Sequence, residues 1–460
     1  MKILKNITVF TMVMLLSVST VLEAREKNIS NFSSSASNLV DSTGTFDGNK
    51  IYADVANNGL FLDYHVSGDS ALEWPKGTGV HSIFQSALWM GATVNGSIRT
   101  IVGDYTQDMG PGPWGGDPLA AVHRIYKVEK SMLASPLDFA DFQEWPVEFG
   151  APWVDVDGDG VYTPLPGGTD HPEFLGDQVL WFVSNDGDPA YKLNFGTSPM
   201  NVEIQTTMFG FDRPDVFGDM VFLKQLVINK GSDDLVDTYM GLWSDPDLGY
   251  AGDDFVGCDV ALGMGYVWND GDDSQYSTLD IGTPAAGYDF FQGPMVPCED
   301  GDSEEVCPTE GAKMFGTRHP GMKNLKMSSF AFYINGDATY TDPSDETEGY
   351  FYLQGLRKDG SAYPAEIAGD LYDQRFCFYG DPNDSAGHST ANPVDGNYAA
   401  SADRRFLMSV GPFTMAAGDS QEVVFGIFHA AGGDALSSVA YLKEVDALAQ
   451  TAYDLSLIHI

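Results

Sequence analysis

Ala87-Leu88-Trp89-Met90-Gly91-Ala92-Thr93-Val94 and Ser97-Ile98-Arg99-Thr100-Ile101-Val102 flank the dipeptide Asn95-Gly96. Asn and Gly both tolerate positive φ, which the tight two-residue hairpin turn requires, so this stretch specifies an antiparallel strand pair. Residues 329–334 before Asn335-Gly336 predict a second hairpin by the same rule. Apolar, β-branched and aromatic runs at 178–183, 220–228 and 422–428 predict further strands. Few helical periods intervene. The expected fold is therefore all-β, with one or two antiparallel β-sandwiches and long acidic loops. One helix is expected, over 437–452, with Val439, Leu442, Val445, Leu448 and Ala449 on its apolar stripe and a Ser start.

Composition supports the same class. The 460 residues carry a formal net charge of −42, with 49 Asp against 17 Glu. Glu favours helices, whereas Asp favours turns and hard-cation sites. With 51 Gly and 24 Pro, this is a turn-rich chain, and 43% hydrophobic residues suffice for a core. The charge excludes nucleic acid as a natural partner and disfavours anionic membranes, because phosphate would be repelled.

Asp155-Val156-Asp157-Gly158-Asp159-Gly160-Val161-Tyr162 places three carboxylates at alternate positions in a loop that glycine can turn tightly. Calcium takes several oxygen ligands, so the spacing predicts an ion held by Asp155, Asp157, Asp159 and the Val161 carbonyl. The twelfth position is Pro166 instead of a bidentate Glu. Closing ligands must come from further on, with Asp170, Glu173 and Asp177 as candidates. A plain Asp-Gly turn is the alternative. The expected role of calcium is a structural staple.

A second acidic cluster, Asp245, Asp247, Asp253, Asp254 and Asp259, admits three readings: another cation site, a carboxylate pair for glycoside hydrolysis, or an acidic structural loop. Trp114, within Gly110-Pro111-Gly112-Pro113-Trp114-Gly115-Gly116, is the best candidate for a sugar-stacking platform, set against the commoner core role of aromatics. No HExxH or GxSxG motif is present, and no Walker or Rossmann fingerprint. No catalytic residue is assigned.

The start of the chain, Met1-Lys2-Ile3-Leu4-Lys5 and an apolar run from about Ile7 to Leu22, predicts a signal peptide over 1–24, cleaved after Ala24. No later segment reaches spanning length, so a secreted or cell-surface protein without membrane insertion is expected. Residues 25–49 are Ser/Asn-rich and predict a flexible lead-in. The expected division is a 50–154 N-terminal β region, the 155–177 acidic loop as boundary, and a 178–454 main sandwich region. Residues 455–460 can be written in codons as CTG TCT CTT ATA CAC ATC, a string resembling the transposon end of sequencing libraries, so the natural chain is expected to continue differently after Asp454. Four cysteines in an exported chain predict two disulfides. Cys298 and Cys307 bracket an acidic segment as a small loop, which leaves Cys258 for Cys377.

EWPKGTG at Glu73, GAPWVDVDGDGVYTP at Gly150, GDQVLWFVSND at Gly176, LWSDPDLGYAGDDFVGCD at Leu242 and GPFTMAAGDSQEVVFGI at Gly411 resemble a group of large secreted proteins of bacteria that use type IX secretion. The resemblance runs over most of residues 70–454. It implies a β-rich region of unassigned function, often followed by immunoglobulin-like or fibronectin-like modules and a C-terminal sorting domain that engages the secretion machinery. That sorting domain does not occur in this sequence, and the resemblance transfers no catalytic residue. The functional expectation is a calcium-stabilised adhesive or scaffold protein whose partner is an extracellular glycan or protein surface. A polysaccharide-active hydrolase or sugar-binding module is the alternative.

Overall fold

The Asn95-Gly96 turn closes with φ of 51° and 81°, both in the left-handed region. Gln85–Val94 and Ser97–Ile101 pair around it, with Val94 opposite Ser97. The structure, a computed structural model, describes residues 43–165, 170–384 and 400–455. The predicted signal peptide and residues 456–460 lie outside the described residues.

The hairpin forms one edge of a five-stranded antiparallel sheet ordered Met327–Ile334, Arg404–Met415, Leu235–Asp245, Gln85–Val94, Ser97–Ile101. A nine-stranded sheet runs Asp254–Asp259, Met264–Asn269, Ala285–Gln292, Ser420–Ala430, Met220–Asn229, Val202–Gly210, Gln178–Asn185, Gly110–Pro111, with Tyr126–Glu129 also on Gln178–Asn185. Two of the segments that pass from sheet to sheet join strand pairs that are partners on both sides. Met220–Asn229 continues into Leu235–Asp245, and Arg404–Met415 continues into Ser420–Ala430, so the partners of one sheet are again partners in the other.

The sheets share a core that includes Trp89, Leu242 and Phe406 on one side and Phe182, Leu223 and Phe425 on the other. Tyr288 crosses it: its ring meets Phe406 edge-on at 5.4 Å. Its hydroxyl bonds Ser86 Oγ at 2.6 Å and Ser244 Oγ at 2.9 Å. The nine-stranded sheet is covered on its second face too, by helix Ala435–Asp454 and by Phe142 and Trp145. Burial on both faces explains why Gln178–Asn185 is buried along its whole length and shows no alternation. A Cβ on Gly287 would stand 3.1 Å from Leu442 Cδ2, so this glycine lets the helix lie close.

Several expectations change. Thr43–Phe46 pairs with Tyr52–Ala56, so part of the expected 25–49 lead-in is a strand. Strands before residue 154 belong to both large sheets, so 155–177 is not a boundary, and Asp41–Ile460 clusters as one unit. Asn335-Gly336 does not return a strand: Ile334 N donates to Tyr340 O and the chain enters helix Glu346–Leu353. The C-terminal helix starts on Asp434, whose carboxylate accepts Ser437 N at 2.9 Å. Leu448 is 49% exposed, while Asp446, at 1%, takes a place on the buried face.

Cys298 and Cys307 are bonded. Cys258 and Cys377 are neighbours but remain free buried thiols, because Cys258 Sγ faces the Cys377 carbonyl at 3.4 Å. Burial raises both thiol pKa values well above the ordinary range, which suppresses the reactive thiolate.

Asp446 meets Asp289 under the helix, and neither has an ion-pair partner among the described residues. Burial first, then the field of Asp259, pushes Asp446 up to about 7. Burial and the charge of Asp446 hold Asp289 well above the carboxylate range. The folded state thus binds protons more tightly than the unfolded chain, where Asp titrates near 4. Stability from this pair is full below about pH 4 and declines as pH rises towards about 7. Asp446→Asn removes the charge and keeps the shape. It is expected to raise the melting temperature at pH 8 by about 2 °C or more, with no gain at pH 4; thermal melts at both values check this.

Thiol counting tests the cysteine assignment. Alkylation should modify no cysteine in the native protein, two after unfolding, and four after unfolding with reduction. No modified cysteine after unfolding alone, and four after reduction, would instead indicate a Cys258–Cys377 bond.

Candidate calcium loop and acidic crossover

The acidic loop leaves a short ladder in which Trp153 and Val154 pair with Pro172 and His171. That ladder brings Asp170 beneath the loop. Asp170 is buried, and its two oxygens accept Val156 N at 2.9 Å and Thr163 N at 2.7 Å, pinning the start and end of the turn. Asp155 accepts Gly158 N at 2.6 Å and Gly160 N at 2.9 Å, and Asp159 accepts Val161 N at 2.7 Å. Both glycines take φ near +75°, which few other residues adopt. Tyr162 anchors the far end through its hydroxyl to Phe142 O at 2.6 Å and its ring against Trp153.

Asp155, Asp157, Asp159 and Asp170 each offer one oxygen, all within 4.8 Å of one another. Oxygens around an ion at 2.3–2.6 Å can be at most about 5 Å apart, so the set fits calcium. None of the four enters an ion pair with a basic side chain among the described residues. The backbone bonds shape the loop but leave its charge in place. Val161 lies in the loop, 60% exposed, with its carbonyl 3.3 Å from the Thr163 hydroxyl. Glu173 and Asp177 are not part of the convergence. Glu173 follows the ladder with its N–H on Pro152 O, and Asp177 accepts Asp212 N at 2.9 Å.

The second expected cluster divides. Asp245 ends Leu235–Asp245 and Asp247 follows it; both lie within 4.8 Å of Asp403, by one oxygen each. Asp403 was not foreseen, since it is remote in sequence and carries no spacing signal; the strand pairing alone brings it there. Asp254 is buried beside them, accepting Leu248 N and Asn269 Nδ2 at 3.2 Å each. Asp253 turns to Asn269 at 2.7 Å. Asp259 ends the edge strand, about 17 Å along at roughly 3.3 Å per residue, and pairs with Lys443 at 3.0 Å.

Asp245 Oδ2 accepts Tyr105 OH at 2.7 Å and Arg405 Nη2 at 2.9 Å. Burial pushes Asp245 up to about 7 against the pull of Arg405. Burial, with the Asp247 charge, raises Asp254 well above the usual range. Perturbed carboxyls of this kind occur in glycosidases. Here Asp245 is 1% and Asp254 0% exposed, so a polysaccharide has no access to them. Ser82 Oγ and His429 Nε2, 2.8 Å apart, are equally enclosed.

Trp114 is 44% exposed and lines a cleft of about 330 Å³ with Asn185, Gly187, Asp188 and Tyr191. Its backbone N–H donates to Glu203 Oε2 at 2.8 Å and its indole N–H to Asn201 Oδ1 at 3.2 Å. A Cβ on Gly187 would stand 2.5 Å from Trp114 Cδ1, so only glycine leaves the indole its place. The platform is held rigidly.

No helix among the described residues is long and apolar enough to cross a membrane. Compared with protein-family models and with curated proteins, the chain matches none.

Proposed function

We propose that this chain is an exported, calcium-stapled β-sandwich with an adhesive or scaffold role at the cell surface. The observation that carries the reading is the convergence of Asp155, Asp157, Asp159 and Asp170 without a basic partner among the described residues. An ion there locks the segment whose Trp145 and Phe142 cover the nine-stranded sheet, so calcium strengthens a fold and takes no part in chemistry. The basic-apolar N-terminus, the Cys298–Cys307 bond and the resemblance to type IX secretion proteins support export.

A sugar-binding reading stands beside it on one observation: the exposed, fixed indole of Trp114 in a cleft edged by Asn185 and Asp188. Aromatic faces stack on the apolar faces of sugar rings while amide and carboxylate groups take hydroxyls. This would give the adhesive role a glycan partner.

Calcium binding to the native state alone raises stability, by about 2.7 kcal/mol at one hundred times Kd. The melting temperature is expected to rise with calcium and fall with chelator, and Asp157→Asn with Asp159→Asn should remove the loop's share. Indifference to both reagents would overturn the calcium reading.

For the cleft, glycan-array binding by the intact protein should fall at least about tenfold, or ~1.4 kcal/mol, in Trp114→Ala. Glycan binding that survives this change places the ligand elsewhere.

A further inference from the structure

We propose that Asp245, Asp247 and Asp403 form a second divalent-cation site, suited to calcium, that ties the crossover between the two sheets. The inference does not depend on the 155–170 loop. Three carboxylate oxygens lie within 4.8 Å of one another, inside the span that one ion can bridge. A second observation points to a ligand. Asp245 is 1% exposed, and while its Oδ2 is taken by Tyr105 and Arg405, its Oδ1 is buried with no hydrogen-bond partner among the described residues. Buried carboxylate oxygens are rarely left so, because desolvation is then uncompensated.

The charge balance points the same way. Asp245, Asp247 and Asp403 bring three formal negative charges to the cluster and Arg405 one positive charge, while burial raises the pKa of Asp254 and lowers that of Arg404 beside it. Arg405 holds Asp245 at 2.9 Å and Asp403 at 2.6 Å. It takes Oδ2 of the first and Oδ1 of the second; Asn335 Nδ2 donates to Asp403 Oδ2 at 2.8 Å. Each carboxylate oxygen has a second lone pair, so these bonds do not bar coordination. A divalent ion would neutralise the remainder. Asp247 and Asp403 are half-buried, which opens the cluster to solvent on that side.

Location gives the ion its role. Leu235–Asp245 belongs to the five-stranded sheet and Asp254–Asp259 to the edge of the nine-stranded one. The link between them turns at Asp247 (φ 43°) and Gly249 (φ 70°) and is bonded back through Leu248 N to Asp254. Positive φ in a non-glycine residue is unfavourable, and Asp is among those that tolerate it. An ion on the Asp247 carboxylate holds that turn and joins it to Asp403 at the start of the neighbouring strand. Calcium accepts such an irregular oxygen set, whereas magnesium demands a near-octahedral one.

Calcium titration calorimetry and terbium luminescence on the whole chain test the site. Tyr105, bonded to the ligand Asp245, lies close enough to sensitise terbium. Wild type should bind two ions per chain. With Asp155→Asn, Asp157→Asn and Asp159→Asn together, one should remain. Adding Asp247→Asn, which suits the same backbone conformation, should weaken that ion about tenfold or more. Circular dichroism confirms that each variant is folded. A folded loop variant that binds no ion, or a remaining ion unaffected by Asp247→Asn, overturns the proposal. One ion in wild type that survives the loop changes and is lost with Asp247→Asn supports this site and refutes the loop.

Discussion

The ion pair between Asp245 and Arg405 fixes the place where the architecture turns. The two residues stand on adjacent strands, 1% and 5% exposed, with Tyr105 bonded to both. Leu235–Asp245 and Arg404–Met415 are the strands whose chain neighbours, Met220–Asn229 and Ser420–Ala430, pair in the opposite sheet. The pair stands at the far end from those two links, where Asp245 leads on to Asp254–Asp259 of the nine-stranded sheet, so it holds in register another crossing between the sheets. Removing either partner of a buried pair leaves an uncompensated charge and costs about 3–5 kcal/mol. The pair itself adds less, because both ions lose water when buried.

A chain with 66 acidic and 24 basic residues cannot give every carboxylate a cation. Inside the protein the shortage is handled in three ways. The pKa values of Asp108 and Asp186 are raised by burial, but the two flank the buried Lys192 and accept backbone N–H groups, all of which act against that rise. Asp289 and Asp446 have only each other and keep a proton instead. The loop around Asp170 and the corner around Asp245 have neither enough basic groups nor a closed, proton-sharing pair. Those are the two places where the described carboxylates converge in threes or more.

Much of the fold was legible because its signals are local. Asn95-Gly96 names its own turn, and the runs at 178–183, 220–228 and 422–428 are strands by residue type alone. The Asp155–Asp159 spacing likewise carried its geometry in one short segment. Non-local partners were not legible. Asp403 reaches Asp245 only through strand pairing, and Asp170 joins the loop whereas Glu173 and Asp177 do not, because the short ladder fixes which side chain lies beneath it. Leu448, expected on the apolar stripe, is exposed and Asp446 is buried, because burial on a helix follows the surface it meets, here a sheet already holding Asp289. The two free cysteines show the same limit: adjacency followed from elimination, but bonding depends on where a sulfur points.

Trp114 differs from the other tryptophans in what its surroundings do. Trp89, Trp145, Trp243 and Trp268 are enclosed, and their rings serve the cores. Trp114 is left 44% exposed, yet its backbone bond to Glu203, its indole N–H bond to Asn201 and the close approach of Gly187 hold it in place. Fixing an exposed aromatic costs conformational entropy that burial does not repay. Such an arrangement is what a preorganised binding face requires, since the ordering is complete before a ligand arrives. The cleft occurs beside Gly110–Pro111, at the edge of the nine-stranded sheet, whereas both carboxylate clusters tie loops. The exposed aromatic face and the two carboxylate clusters are thus separate parts of one sandwich, and a change in one need not disturb the other.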